Sequence, residues 1–215
     1  MENPPAPADP TPPSAGVTIR QGDRFTTDNG VSCTIGYVDK TRGVAYTAHH
    51  CGKAGYHNTR GVFVRHNDVL TQVGTMVYAH PYLPEVGLLP PEVLAGLDST
   101  DRDIAAIKFV PGVTLSDNSF SGDTRVPLNQ VHAGETACFY GSTTGHPVCG
   151  RVRAVSSLTS PLHRILVDVP QGATSAQPGD SGGAAYIPGR GSIGIVKGSW
   201  SIPDKEPYGF AVTGF

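Results

Sequence analysis

The sequence predicts an all-β chain, a sandwich or barrel of short strands. From Val17 onward the apolar segments are short and β-rich. Turn-forming Gly, Asn, Asp and Pro break them at regular intervals. A single stretch, Pro84–Leu97, lacks strand character.

Taken in chain order, residues 1–15 are Pro- and Ala-rich and are expected to be an extended, poorly packed tail. The first predicted strands are Cys33–Val38, Gly43–Thr47, Val62–Arg65, Gly74–Tyr78 and Ile104–Val110. Within the insertion, Pro90-Pro-Glu-Val-Leu-Ala is a candidate start for a short helix. The second half supplies Thr136–Tyr140, Gly150–Ala154, Arg164–Asp168, Gly182–Ile187, Ile193–Val196 and Tyr208–Thr213. There is no internal repeat of solenoid period.

A chain of 215 residues makes one large domain or two small ones. A net charge of -2 and a pI near 6.4 argue against nucleic-acid binding. No apolar run reaches membrane-spanning length. Four cysteines allow three pairings, without the close Cys-x-x-Cys spacing of zinc sites. The histidines at 57, 66, 80, 132, 146 and 163 are scattered, and no pair has metal-ligand spacing. No metal or cofactor is expected.

The chemistry is concentrated in three segments. Gly179-Asp180-Ser181-Gly182-Gly183 puts a serine on a tight, glycine-flanked turn. A serine hydroxyl is a poor nucleophile unless a base stands beside it. A histidine lies in Thr47-Ala48-His49-His50-Cys51, and a carboxylate in Asp103-Ile104-Ala105-Ala106-Ile107. Asp98 and Asp101 are nearby alternatives in a polar stretch, whereas a buried strand following Asp103 would hold its carboxylate inside.

These segments, in the order His, Asp, Ser, resemble the chymotrypsin-like serine proteases; other triad families run in a different order. The resemblance covers most of the chain. It implies two six-stranded antiparallel Greek-key barrels, residues 16–115 and 116–215, with the active site in the crevice between them. It makes Ser181 the nucleophile, His50 the general base and Asp103 its orienting partner. His50 takes the role rather than His49 because the family's histidine directly precedes the cysteine. The amides of Gly179 and Ser181 would form the oxyanion hole, each such donor contributing about 2.7–4 kcal/mol in comparable enzymes. The resemblance also selects the disulfides Cys33–Cys51 and Cys138–Cys149, each contributing about 3 kcal/mol. Disulfides imply an oxidising compartment, so the protein is expected to be secreted or at the cell envelope, with an export signal already removed before Met1.

Gly141-Ser-Thr-Thr-Gly145 before Cys149-Gly150, and Gln177-Pro178 before Gly179, are similar to the bacterial streptogrisin and α-lytic branch. Two positions depart from it. Phe139 stands where that branch commonly has an arginine partner for the aspartate at 180, and Ser175 replaces a cysteine of the pocket wall.

The primary specificity pocket implied by the resemblance comprises Ala173, Thr174, Ser175 and Ala176, facing the strand of Lys197, Gly198 and Ser199. It holds no carboxylate, so small to medium uncharged side chains are expected before the scissile bond. Two registers are open for that strand. One places Lys197 where the family has a serine beside the triad aspartate, and the other matches Ser199-Trp200 to the family's Ser-Trp pair, with a local bulge. The expected function is a secreted, monomeric serine endopeptidase acting on polypeptides. A non-catalytic or latent binding protein on the same scaffold, and an esterase-like hydrolase, are the alternatives.

Overall fold

The computed structural model describes residues 14–52, 59–77, 102–160, 162–201 and 208–215. The regular elements among them are strands and short 3-10 turns, so the all-β prediction holds. The predicted insertion and its candidate helix lie outside the described residues.

The N-terminal half curls around one apolar cluster. Its strands are β2 (Arg24–Thr27), β3 (Ser32–Thr34), β4 (Tyr37–Asp39), β5 (Val44–Thr47), β6 (Thr59–His66), β7 (Val69–Val77) and β8 (Ala105–Phe109). They form a seven-stranded sheet in the order β3-β2-β6-β7-β8-β5-β4. Phe25, Ile35, Val38, Met76 and Ile107 fill its concave side and are fully buried. The predicted run Cys33–Val38 divides at Ile35-Gly36 into β3 and β4, which lie at opposite edges of the sheet.

The C-terminal half is a closed six-stranded barrel in the order β10-β11-β12-β15-β14-β13. These strands are Thr136–Tyr140, Val148–Val155, Arg164–Asp168, Gly209–Gly214, Gly191–Trp200 and Ala184–Ile187 respectively. Closure leaves no unpaired strand edge. Phe139 and Phe210, with ring centroids 4.8 Å apart, anchor its interior. The arginine expected at 139 is thus replaced by a core aromatic. The strand predicted at Ile193–Val196 extends through Trp200, because its polar C-terminal end still pairs with β15.

Two short strands, β1 (Thr18–Ile19) and β9 (Thr114–Leu115), pair in parallel. Ser14, within the Pro-rich stretch, is buried and bonds through its hydroxyl to the Pro111 carbonyl, so packing begins earlier than the composition predicts. Both disulfides form as the resemblance implied, Cys33–Cys51 and Cys138–Cys149. Among the described residues no helix is long and apolar enough to cross a membrane.

Candidate active site

The register of two paired strands brings the histidine and the aspartate together. β5 and β8 are antiparallel with Thr47 opposite Ala105. Residues just after Thr47 therefore meet residues just before Ala105. β5 ends in a 3-10 turn, His49–Gly52, and the Cys33–Cys51 disulfide ties that turn to β3. The His50 amide donates to Asp103 Oδ1 at 2.9 Å, and Nδ1 lies 2.7 Å from Oδ2. Both carboxylate oxygens are thus engaged by one residue. With its proton on Nδ1, the ring presents Nε2 as an acceptor, and the Ser181 hydroxyl lies 2.8 Å from it. The ring joining the three groups is that of His50, as expected, and not of His49. Asp98 and Asp101 lie outside the described residues.

Burial pushes the Asp103 carboxyl up. The His50 side-chain hydrogen bond, the His50 charge and amide, and the Lys197 charge outweigh it, and its pKa falls below the ordinary 3.8. A carboxyl depressed on folding contributes stability above its unfolded value, and this is lost as pH falls through the folded value. We predict that the unfolding-midpoint difference between the parent protein and Asp103→Asn is largest near pH ~6 and shrinks below pH ~4. Urea titrations across that range check it. A difference constant with pH would contradict it.

Ser181 sits on a double turn in which the Asp180 amide donates to the Gln177 carbonyl and the Gly183 amide to the Asp180 carbonyl. The first half of the chain grips this turn from outside. The Thr34 amide donates to the Ser181 carbonyl at 2.9 Å, and the Thr34 hydroxyl to the Gly179 carbonyl at 2.8 Å. Gly179 has φ +98°, and a Cβ there would fall 2.3 Å from Thr143 Oγ1, so glycine is required on both counts. Among the described residues the amides of Gly179 and Ser181 donate to no protein acceptor.

Asp180 is fully buried, and its partner was not legible in the sequence. It is held by a cage of donors. The amides of Thr143 and Thr144 donate to Oδ1, each at 2.9 Å. The Gln177 amide donates to Oδ2 at 2.8 Å, and the Thr144 hydroxyl also donates to Oδ2. Convergent backbone amides of this kind hold an anion without a cation. Gly141 makes the cage possible, since a Cβ there would lie 2.3 Å from the Asp180 carboxyl. The available signal was Gly141-Ser-Thr-Thr itself, a small residue followed by short turn-formers.

The remaining expected site residues fall into two groups. Ala173 and Thr174 are exposed, Ser175 is half-buried, and Ala176 belongs to the same buried cluster as Val196. On the facing strand, Lys197 occupies a bulge between Val196 and Gly198, with Nζ 3.9 Å from Asp103 Oδ2. Lys197 beside Asp103 is the feature of the first register, and the bulge is the feature of the second. Gly198 opens onto free space, Ser199 is exposed, and Trp200 packs at the barrel end with Nε1 donating to the Val167 carbonyl.

Comparison with known proteins identifies the family and the fold. The Trypsin family model matches residues 4–213. An uncharacterized protein of Mycobacterium tuberculosis is 30% identical over 211 residues, covering 91% of this chain and 77% of its own. Streptogrisin-C of Streptomyces griseus is 28% identical over 189 residues, 86% of this chain but 36% of its own. Among solved structures, Thermobifida fusca protease A superposes with a TM-score of 0.57 at 17% identity over 92% of both chains. Cellulomonas bogoriensis chymotrypsin does so with 0.56 at 23% identity, over 92% of this chain and 91% of its own. These two share the two-barrel fold. On the family match over nearly its whole length, the chain belongs to the Trypsin family of chymotrypsin-like serine peptidases.

Proposed function

We propose that this protein is an exported serine endopeptidase that hydrolyses peptide bonds through an acyl-enzyme on Ser181. The observation that carries the reading is His50 bridging Asp103 and Ser181 at 2.7 and 2.8 Å. Ser181 Oγ attacks the scissile carbonyl while His50 Nε2 takes its proton. The oxyanion develops against the amides of Gly179 and Ser181. His50 then returns the proton to the leaving amine, and water, activated by the same base, releases the acyl group. Asp103 orients the imidazole and stabilises its charged form.

The amide cage around Asp180 supports this reading over a non-catalytic scaffold. A buried carboxylate without partners would destabilise the serine turn, and four donors remove that objection. The two disulfides support an oxidising, extracellular setting.

Residues 173–176 and 197–199 are proposed to line the pocket for the side chain before the scissile bond. They carry no acidic group, so the preferred side chains are small to medium and uncharged. Cleavage of a randomised peptide library, read by mass spectrometry, is expected to enrich residues such as Ala, Val and Leu at that position. Dominant cleavage after Arg or Lys would overturn the assignment. Turnover of esters without any peptide cleavage would favour the esterase reading.

A further inference from the structure

We propose that Arg24 forms a subsite for an acidic side chain on the leaving-group side of the scissile bond, within the first two residues beyond it. This rests on the peptidase reading above and names a feature of its substrates.

The direction of the substrate follows from the geometry. His50 Nε2 must deliver its proton to the leaving amine, so the departing segment lies on the His50 side of Ser181. The elements of the first half of the chain that meet Ser181 are the 3-10 turn of His50, the Cys33–Cys51 bridge and β3, which pairs with β2. The acyl side is assigned to residues 173–176 and 197–199 and lies on the other barrel. In the β2–β3 register Arg24 stands opposite Thr34, the residue that grips Ser181 and Gly179. The Arg24 side chain crosses from there to the second barrel. Its Nη1 donates to Thr143 Oγ1 at 3.2 Å and lies 3.6 Å from where a Cβ of Gly179 would be. The guanidinium is therefore beside the proposed oxyanion glycine, exposed, and on the departing side.

The charge around Arg24 is unbalanced. Among the described residues no carboxylate forms an ion pair with it. It also lines a surface depression of about 470 Å³ whose lining, among the described residues, includes Arg20, Arg65 and His66 and one carboxylate, Asp23. The guanidinium groups of Arg20 and Arg65 donate to the backbone carbonyls of Thr18 and Asp68, while the Arg20 amide donates to Asp23. In a chain of net charge -2 this local excess is not a consequence of overall composition. A planar guanidinium with free donors suits a carboxylate. The Thr143 bond holds it in place, which lowers the ordering cost of binding.

The test uses peptide pairs with one acyl segment and either Asp/Glu or Lys/Arg at the first two positions after the bond. The kcat/KM ratio of acidic to basic members is expected to be about tenfold at low salt and to shrink as salt screens the pair. Arg24→Lys keeps the preference, Arg24→Gln brings the ratio near one, and Arg24→Glu inverts it. The ratio cancels any general change in activity. A parent ratio near one, or a ratio unchanged in Arg24→Glu, would overturn the subsite. An ester of the same acyl group, with no peptide beyond the bond, tests the peptidase reading separately. If it too is not turned over, the catalytic reading fails. Calorimetric binding of the same peptide pair to Ser181→Ala then decides the subsite alone: tighter binding of the acidic member supports it, and equal binding overturns it.

Discussion

Ser181→Ala is expected to leave a folded, disulfide-bonded protein whose kcat on peptide and ester substrates is lower by about 10⁶-fold. The magnitude follows from the chain of bonds through His50. Without Oγ there is no acyl acceptor, and the imidazole has nothing to deprotonate. What remains is the orientation and oxyanion stabilisation that the pocket gives to direct attack by water, about 10³–10⁴-fold over solution. His50→Ala is expected to cost about as much, because Ser181 then lacks its base. The double variant should be no worse than either single one, since the two side chains act as a unit. Steady-state kinetics with unfolding curves check all three. Additive losses would contradict the shared mechanism. So would Ser181→Ala retaining more than a few per cent of activity.

The second large effect is expected at Gly141, a residue outside the proposed triad and pocket. A methyl group there would overlap the Asp180 carboxyl at 2.3 Å, in a site with no room to relax because Asp180 is fully buried. Either the carboxylate leaves its cage or the Ser142–Thr144 turn moves away from it. In both cases the amides of Thr143, Thr144 and Gln177 lose their acceptor, and the turn carrying Gly179 and Ser181 loses its internal anchor. We predict that Gly141→Ala lowers stability by about 2–4 kcal/mol and kcat by about 10²–10³-fold. Asp180→Asn should follow in the same direction with a smaller stability loss of about 1–3 kcal/mol, since an amide nitrogen would face backbone donors. Thr144→Val, which removes one hydroxyl donor and leaves the amides, should cost about 1 kcal/mol. Chemical denaturation and turnover numbers for the three variants test the ranking. Equal, near-zero effects at Gly141 and Asp180 would mean that the serine turn holds its shape without the cage.

The proposed triad was legible in the sequence because each member sits in a local context that limits where it can go. Asp103 precedes a run of apolar residues that becomes the buried start of β8, and His50 precedes a cysteine that pins its turn. The strands Thr136–Tyr140 and Arg164–Asp168 were also predicted to the residue, since their apolar runs are bounded by turn-formers on both sides. What was missed depends on contacts between distant segments. β2 begins at a charged arginine and reads polar, and it becomes a strand by pairing with β3 and β6. The two-residue strands β1 and β9 exist only through each other. Thr34 is an ordinary strand residue until the second barrel brings Ser181 and Gly179 against it. The partner of Asp180 was hidden for the same reason. The sequence offered a missing arginine at position 139, whereas three of the four stabilising donors are backbone amides, which any residue type supplies, and the fourth is the Thr144 hydroxyl.

The most direct measurement of the central claim is covalent labelling with a fluorophosphonate, followed by intact mass on the oxidised protein. Phosphonylation requires the activated hydroxyl of Ser181, the His50 base and an assembled oxyanion site together. The predicted result is one adduct per chain in the parent protein and none in Ser181→Ala. No adduct on the folded parent protein, or an equal adduct on Ser181→Ala, would contradict a catalytic Ser181.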